Sequence, residues 1–108
     1  MDDERPIKEL LNTIGNEQAR KILAAIAHEP SSAKELTEQL NLSQATIYRR
    51  INKLQKHDLI KEQTLVADDG NHYNKYECNF NSVYISLEGS EYNVCVYREE
   101  KDLPDIRL

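Results

Sequence analysis

One short stretch of the chain, residues 43–61, concentrates the side chains that could bind nucleic acid. It holds five bases and one acid, a net charge of +4, within a chain whose net charge is −5. Arginine can bond guanine O6 and N7 together, and glutamine or asparagine can bond adenine in the same way. Gln44, Arg49 and Asn52 are therefore candidate base-reading residues. A focused basic patch is typical of a phosphate-binding surface, although like charges on one helix also occur on a solvated face.

Neighbouring polar side chains are suited to phosphate oxygens, which fix the position of a protein on DNA without reading its sequence. The predicted DNA-binding residues are Ser43, Gln44, Thr46, Tyr48, Arg49, Arg50, Asn52, Lys53, His72 and Lys75. The rest of the chain is acidic, with five bases and eight acids in residues 1–42 and four bases and ten acids in residues 62–108. The chain is therefore not a protein that binds nucleic acid by being basic throughout.

The elements that must position these residues follow from hydrophobic spacing. Apolar residues recur at helical intervals within residues 7–14 and again within residues 19–27, which predicts two helices. Gly15 ends the first helix, Asn16 caps the second, and Pro30 stops it.

Two further helices are predicted around a very short connection. Ser32 followed by Glu35 is a capping box, and Asn41 is suited to the left-handed conformation that ends a helix. Ser43 then caps a helix over residues 44–57. Two helices this close form a helix-turn-helix. The positions expected to be buried in it are Leu36, Leu40, Leu42, Ile47 and Ile51.

Beyond residue 57 the hydrophobic period changes to that of strands. Residues 59–67 and 72–80 flank the turn sequence DDGN, which predicts a hairpin. A second hairpin is predicted with strands 83–87 and 92–98, in which Val83, Ile85 and Leu87 share a face that Val94 and Val96 can oppose. A charged tail over residues 99–108 is expected to lie on the surface.

The predicted fold class is thus α+β, a winged helix-turn-helix of four helices and a β-wing, with an additional C-terminal β-hairpin. We expect residues 1–81 to form the winged helix-turn-helix domain and residues 82–108 to form the hairpin extension and tail. In such folds the wing, here residues 68–75, lies along the neighbouring minor groove. The acidic step Asp68–Asp69 at the tip weakens that contact.

The stretch GNEQARKILAAIAHEPSSAKELTEQLNLSQATIYRRINKLQKHDLIKEQ resembles the winged helix-turn-helix of ArsR-type transcription regulators, particularly archaeal members. The resemblance extends from about Ile7 to Phe80 and is most specific in SQATIYRRINKLQKHDLI. Asp58 departs from the glycine that the family usually has. The resemblance implies a homodimer that reads a two-fold-related operator, with the first helix in the dimer interface. Residues suited to that interface are Ile7, Leu10, Leu11 and Ile14, although packing within their own domain explains their spacing equally well.

Two departures from the family limit what the resemblance implies. Metal-sensing members have a Cys-x-Cys cluster on the first helix of the helix-turn-helix, but here that helix reads AKELTEQLN, so no metal and no other cofactor is expected. Many members end in a further dimerisation helix, whereas this chain ends in a second hairpin. That hairpin either replaces the helix in the dimer or docks something else.

Other function classes receive little support. The three histidines are isolated, and no nucleophile elbow or glycine-rich phosphate loop is present, so the chain is not expected to be an enzyme. Cys78 and Cys95 are expected to be half-buried strand residues rather than a disulfide or zinc framework. No apolar run could span a membrane and no secretory signal is recognisable, which predicts a cytoplasmic protein without a membrane partner.

The sequence therefore predicts sequence-specific binding of double-stranded DNA by a dimeric transcription regulator, a repressor, with helix 44–57 in the major groove. The alternative is a winged helix used as a protein–protein interaction module in a transcription or replication assembly. The acidic surface outside residues 43–61 is compatible with both. Acidity that keeps a protein soluble in a salty cytoplasm is a third explanation for that surface.

Overall fold

The computed structural model describes residues 5–103 and consists of four helices followed by two β-hairpins, with a two-residue strand between the second and third helices. The helices are α1 (Arg5–Ile14), α2 (Glu17–His28), α3 (Ala33–Leu40) and α4 (Gln44–Lys56). The strands are β1 (Ser31–Ser32), β2 (Ile60–Val66), β3 (His72–Cys78), β4 (Ser82–Glu88) and β5 (Glu91–Tyr97). The predicted order of elements is confirmed. The predicted tail contributes a short 3-10 helix, Glu100–Asp102, and its last residues, 104–108, lie outside the described residues, as do 1–4.

Side-chain caps fix where the helices begin. The Oδ1 atom of Asn16 accepts a hydrogen bond from the Ala19 amide at 2.9 Å, and the Ser43 hydroxyl accepts one from the Thr46 amide at 3.1 Å. Each cap satisfies a backbone donor that the helix itself cannot pair. Asn41 ends α3 with φ 54° and ψ 43°, the left-handed conformation that asparagine tolerates better than most residues. These caps confirm the predicted boundaries.

The capping box of α3 also links the helix to the sheet. The Ser32 hydroxyl accepts from the Glu35 amide at 3.1 Å, and Glu35 Oε1 accepts from the Ser32 amide at 3.1 Å. The same carboxylate lies 3.8 Å from the Lys75 ammonium of β3. The Ser32 amide is the main cause that lowers the pKa of Glu35 below its ordinary value of 4.5, and the Ser32 hydroxyl and Lys75 contribute.

This environment predicts a pH-dependent contribution of Glu35 to stability. A lowered pKa means that the ionised form is favoured in the folded state, so the contribution is present above the unfolded pKa and is lost as the pH falls through the folded pKa. Glu35→Gln keeps an acceptor for the capping box but removes the charge. We expect a loss of about 0.3–1.5 kcal/mol at neutral pH. Urea unfolding at neutral pH and near pH 3 should show that difference shrinking in acid, and a difference independent of pH would contradict the assignment.

The end of α4 is closed by a backbone motif that requires a left-handed residue. The Asp58 amide donates to the Gln55 carbonyl at 3.0 Å, and the Leu59 amide donates to the Leu54 carbonyl at 3.1 Å. This pair of bonds is a Schellman motif, in which Asp58 has φ 55°. Leu54 and Leu59 are both completely buried, as the motif's apolar contact requires. Asp58 thus occupies a position for which glycine is the unstrained residue.

The first hairpin is joined by β1 into a three-stranded antiparallel sheet with the order β1–β3–β2. β1 pairs Ser31 with Tyr76 and Ser32 with Lys75. Its two residues are too short to show a strand pattern, which is why the sequence did not predict it. The β2–β3 loop closes with Gly70 at φ 86°, a conformation that glycine adopts without strain.

One hydrophobic core lies between the helices and this sheet. Its fully buried large side chains come from α2, α3, α4 and the start of β2, and Tyr76 closes it from β3. Burial raises the pKa of the Tyr76 hydroxyl, so the side chain stays neutral in the core at physiological pH. Leu40 and Leu42 of the helix-turn-helix are partly buried at its margin rather than fully enclosed. The buried members are Ala19, Ile22, Leu23, Ile26, Ala33, Leu36, Ile47, Ile51, Leu54, Leu59, Ile60 and Tyr76.

The second hairpin, β4–β5, forms a separate two-stranded sheet. Its predicted pairing is confirmed, because Val83 lies opposite Val96 and Ile85 lies opposite Val94. The base of the hairpin is attached to the end of α4 by Arg98. That guanidinium donates to the carbonyl oxygens of Asp58 and, at 2.9 Å, of Asn79.

Candidate nucleic-acid interface

The exposed side of α4 carries most of the predicted DNA-binding residues. Its buried side is formed by Ile47, Ile51 and Leu54, so the positions between them are directed away from the core. Among the described residues, the exposed side chains that make no hydrogen bond or ion pair with the rest of the protein include Gln44, Tyr48, Arg49, Asn52 and Lys53. Water hydrates these groups in the free protein, so they are available to base edges and phosphates.

The first turn of α4 combines a cap with free backbone donors. Ser43 Oγ accepts from the Thr46 amide and donates to Thr46 Oγ1 at 2.9 Å, so both hydroxyls are already engaged with each other. The amides of the first turn and the positive end of the helix dipole favour a nearby anion. Ser43 and Thr46 therefore stabilise the start of the helix. Only the hydrogen-bonding positions of their hydroxyls that these two bonds leave open are available to DNA.

Arg50 differs from the other predicted cations because it is partly buried and attached to α2. Its Nε atom donates to Gln18 Oε1 at 3.0 Å. This bond uses one of the five guanidinium donors and leaves the terminal nitrogens unoccupied. The geometry favours a fixed phosphate contact over the reading of a base. Gln18 was not predicted as a functional residue, and no local spacing signal connects it to Arg50, 32 positions away.

Lys56 is a further exposed cation on α4 that the sequence prediction omitted. It follows Lys53 by three positions, a separation at which helical residues are neighbours. That spacing could have identified it. The two lysines extend the basic surface of the helix towards its C-terminal end.

The wing presents a different charge from the helix. His72 is exposed at the start of β3, beside a tip that contains Asp68 and Asp69. Both Asp69 carboxylate oxygens accept from Asn71, at 2.9 Å from its amide and 3.0 Å from its side chain. The tip is therefore an ordered acidic turn, which repels the DNA backbone instead of attracting it.

Lys75 lies away from the tip, where β3 pairs with β1. Its ammonium is 3.8 Å from Glu35 Oε1, and the Lys61 ammonium of β2 lies 3.8 Å from Glu77 Oε1. Each lysine of the first hairpin is thus paired with a carboxylate. The ammonium of Lys75 therefore lies beside the carboxylate that forms the α3 capping box.

The four residues predicted for a dimer interface on α1 separate into two groups. Leu10 and Ile14 are partly buried and pack against the core of their own domain. Ile7 is 41% exposed and Leu11 is partly buried. Packing within the domain therefore accounts for Leu10 and Ile14. Ile7 and Leu11 are the two predicted interface residues that do not pack against this core.

The two cysteines lie in strands, as predicted, but in unlike environments. Cys78 is partly buried, and its thiol donates to the Leu23 carbonyl at 3.5 Å. Burial raises the pKa of the Cys78 thiol, which keeps it protonated and unreactive. Cys95 is exposed, so the expectation of half-burial was wrong for this residue. The sheet that contains it has only two strands.

Residues 5–103 contain neither a metal-ion site nor a membrane-spanning helix. No group of three or more His, Cys, Asp or Glu side chains in this range is placed to hold a metal ion. None of the helices in the same range has the length and apolar composition needed to cross a bilayer.

Comparison with known proteins agrees with this architecture. The profile of a family described as a helix-turn-helix domain matches residues 14–63, which include α2, α3 and α4. The adhesin competence repressor (AdcR) from Streptococcus pyogenes has a similar solved structure, with a TM-score of 0.53 and 21% sequence identity over 72% of this chain. The chain spans 64% of the length of that protein. No curated protein sequence gives a significant match. The chain has a winged helix-turn-helix fold with an additional C-terminal hairpin.

Proposed function

We propose that the chain binds double-stranded DNA in a sequence-specific manner, with α4 in the major groove. The observation that supports this most directly is the exposed, unpaired side of α4, which includes Gln44, Arg49, Asn52 and Lys53. An arginine pairs with guanine through two bonds, and the two amides are suited to adenine. Lys53 contacts phosphate, which contributes affinity without sequence information.

In this proposal Arg50 is a positioning contact to the DNA backbone. Gln18 holds its Nε atom at 3.0 Å, so the guanidinium is presented in one orientation before DNA arrives. Reduced freedom before binding lowers the entropy lost on binding. The contact also connects α2 to the DNA surface, which fixes the angle at which α4 enters the groove.

The wing has a smaller part in the proposed complex than the helix. Of the two wing residues predicted to contact DNA, His72 is the one near the tip, and it is exposed. Asp68 and Asp69 lie beside it. Carboxylates near phosphates oppose binding, and this opposition increases as salt decreases. We therefore assign most of the affinity to α4.

The proposal extends to a homodimer that regulates transcription and represses by occupying its operator. The resemblance of residues 43–60 to ArsR-type regulators of archaeal type supports this assignment, and the similar solved structure is named a repressor. A two-fold dimer presents one α4 to each half of a palindromic site, with the half-sites about 34 Å apart.

Selection from a random duplex DNA library tests the proposal. We expect wild type to enrich a palindromic motif, and a variant with both Arg49→Ala and Lys53→Ala to enrich none. A matched control with Lys21→Ala and Lys101→Ala removes the same charge from exposed positions outside α4 and should recover the wild-type motif.

The alternative function, a protein–protein docking module, is favoured by the acidic wing tip and its ordered Asp69–Asn71 turn. If neither wild type nor the control enriched any sequence at low salt, where counterion release favours binding, DNA binding would be rejected. The docking function would then be the one to pursue.

A further inference from the structure

The second hairpin carries a continuous apolar face. The register of β4 and β5 places three pairs of residues on one side of the ribbon, since directly opposed residues of an antiparallel pair project to the same face. The six residues of this face, hereafter the hairpin face, are Val83, Ile85, Leu87, Tyr92, Val94 and Val96. The opposite face alternates with it and contains Tyr84, Ser86, Asn93, Cys95 and Tyr97.

The hairpin face is largely open to solvent. Ile85 is 49% exposed, Leu87 is 59% exposed and Tyr92 is 56% exposed. Of the six residues, only Val96 packs against the hydrophobic core. Within the described part of the chain, β4 and β5 pair with each other and with no other strand.

A ribbon of this kind needs a covering layer. An isolated two-stranded hairpin is marginally stable in water, and natural proteins normally protect exposed strand edges with charge, proline or a bulge. The interiors of β4 and β5 have none of these devices, because charged residues occur only at Glu88 and Glu91 beside the turn. The hairpin therefore has the composition of a buried element rather than of a surface ribbon.

We infer that a second copy of this chain covers the hairpin face, with the two hairpins stacked antiparallel about a two-fold axis through the Ile85–Val94 pair. This pair is at the middle of both strands, so an axis there maps the patch onto itself. The large pair Leu87–Tyr92 near the turn then approaches the small pair Val83–Val96 of the other copy, in which Val83 is the member that does not pack against its own core. Large side chains opposite small ones give an interdigitated contact.

Repulsion between the two turns disfavours the parallel orientation. The antiparallel arrangement separates the Glu88 and Glu91 carboxylates of the two turns, which a parallel arrangement would bring together. Like charges placed opposite one another would oppose association.

The size of the face predicts a weak dimer. Three half-exposed large side chains and three smaller ones offer on the order of 400 Å² of apolar surface per copy, or about 800 Å² in total. Interfaces below about 1,200 Å² are at the weak end of specific association. We therefore expect a dimer that dissociates at micromolar concentrations in free solution.

Sedimentation equilibrium of the full chain without DNA, from about 1 to 100 μM, tests the inference across the range expected for a weak interface. We expect wild type to change from monomer to dimer over this range, and Ile85→Glu to remain monomeric throughout. Ser86→Glu is the matched control, since it adds the same charge at the adjacent exposed position on the opposite face. It should dimerise like wild type.

Ile85→Thr distinguishes loss of the interface from unfolding of the hairpin. Threonine has a high strand propensity, so this variant removes apolar surface but should preserve the strand. This variant should keep the wild-type circular dichroism spectrum and raise the dissociation constant at least about tenfold, the factor that corresponds to 1.4 kcal/mol. A fourth variant, Leu11→Glu, tests the competing interface on α1 that the sequence predicts. If the hairpin face forms the dimer instead of α1, this variant leaves the dimer intact.

A wild type that is monomeric at every concentration would overturn the inference, as would a dimer that survives Ile85→Glu but is lost in Leu11→Glu. The inference rests on the proposed function, since it names the surface through which the proposed dimer forms. The sedimentation experiment, however, contains no DNA. A failure of the inference is therefore distinguishable from a failure of DNA binding, which the library selection reports separately.

Discussion

Replacing Arg49 by alanine should weaken binding to the selected DNA site by about 1–3 kcal/mol, roughly 5- to 150-fold in the dissociation constant. Arg49 is exposed on α4 and makes no hydrogen bond or ion pair within the described residues, so its guanidinium is available to a guanine. The loss should also relax the base preference at one position of each half-site. Fluorescence anisotropy with single-base variants of the operator measures both effects.

Lys53→Ala is the informative comparison for this experiment. A phosphate contact is indifferent to sequence, so the variant should weaken binding to all duplexes alike and reduce the salt slope by about one. Lys21→Ala, on α2 and 3.4 Å from Glu17, is expected to change neither quantity beyond a small uniform effect. If Arg49→Ala bound every operator variant as wild type does, Arg49 would not be a base reader.

Leu54→Ala should reduce the free energy of unfolding by about 2–5 kcal/mol, the range measured when a buried leucine is truncated. Leu54 is completely buried, and its carbonyl accepts the Leu59 amide in the motif that closes α4. Removing the side chain leaves a cavity beneath the DNA-facing side of this helix. Against a total stability of about 5–15 kcal/mol for a typical domain, this loss is a large fraction, so the variant is expected to unfold at a clearly lower urea concentration.

Urea unfolding followed by circular dichroism gives the loss directly. Leu40→Ala is the matched control, because Leu40 is a leucine at the margin of the same core and only partly buried. It should cost clearly less than Leu54→Ala. Equal losses for the two variants would show that burial in this core does not determine the effect.

The helix boundaries were predictable because their signals are local. Asn16, Ser32 with Glu35, and Ser43 each act on a backbone amide three positions away, so sequence spacing contains the whole interaction. The hairpins were predictable for the same reason, since a turn and the alternation beside it occupy consecutive residues. The order of elements followed from these signals together with the resemblance to known winged helices.

The features that escaped prediction depend on residues far apart in the chain. Gln18 fixes Arg50 across 32 positions, and Lys75 pairs with Glu35 across the β1–β3 contact. No periodicity or motif encodes such contacts, because they exist only after the elements have packed. Lys75 illustrates the consequence, since the sequence predicts it as a DNA-binding residue and the structure pairs it with Glu35. Lys61, counted in the basic stretch 43–61, likewise lies 3.8 Å from Glu77.

In the dimer that we infer, the second hairpin connects each copy of α4 to the two-fold axis. Arg98 joins the base of β5 to the carbonyl oxygen of Asp58, directly after the helix that we place in the major groove. With a two-fold axis on the hairpin face, the length of the ribbon sets the distance between the two copies of α4. Adding two residues to each strand would extend it by about 7 Å, the rise of roughly two base pairs. Operator spacing would then be encoded in strand length, independently of the residues that read the bases.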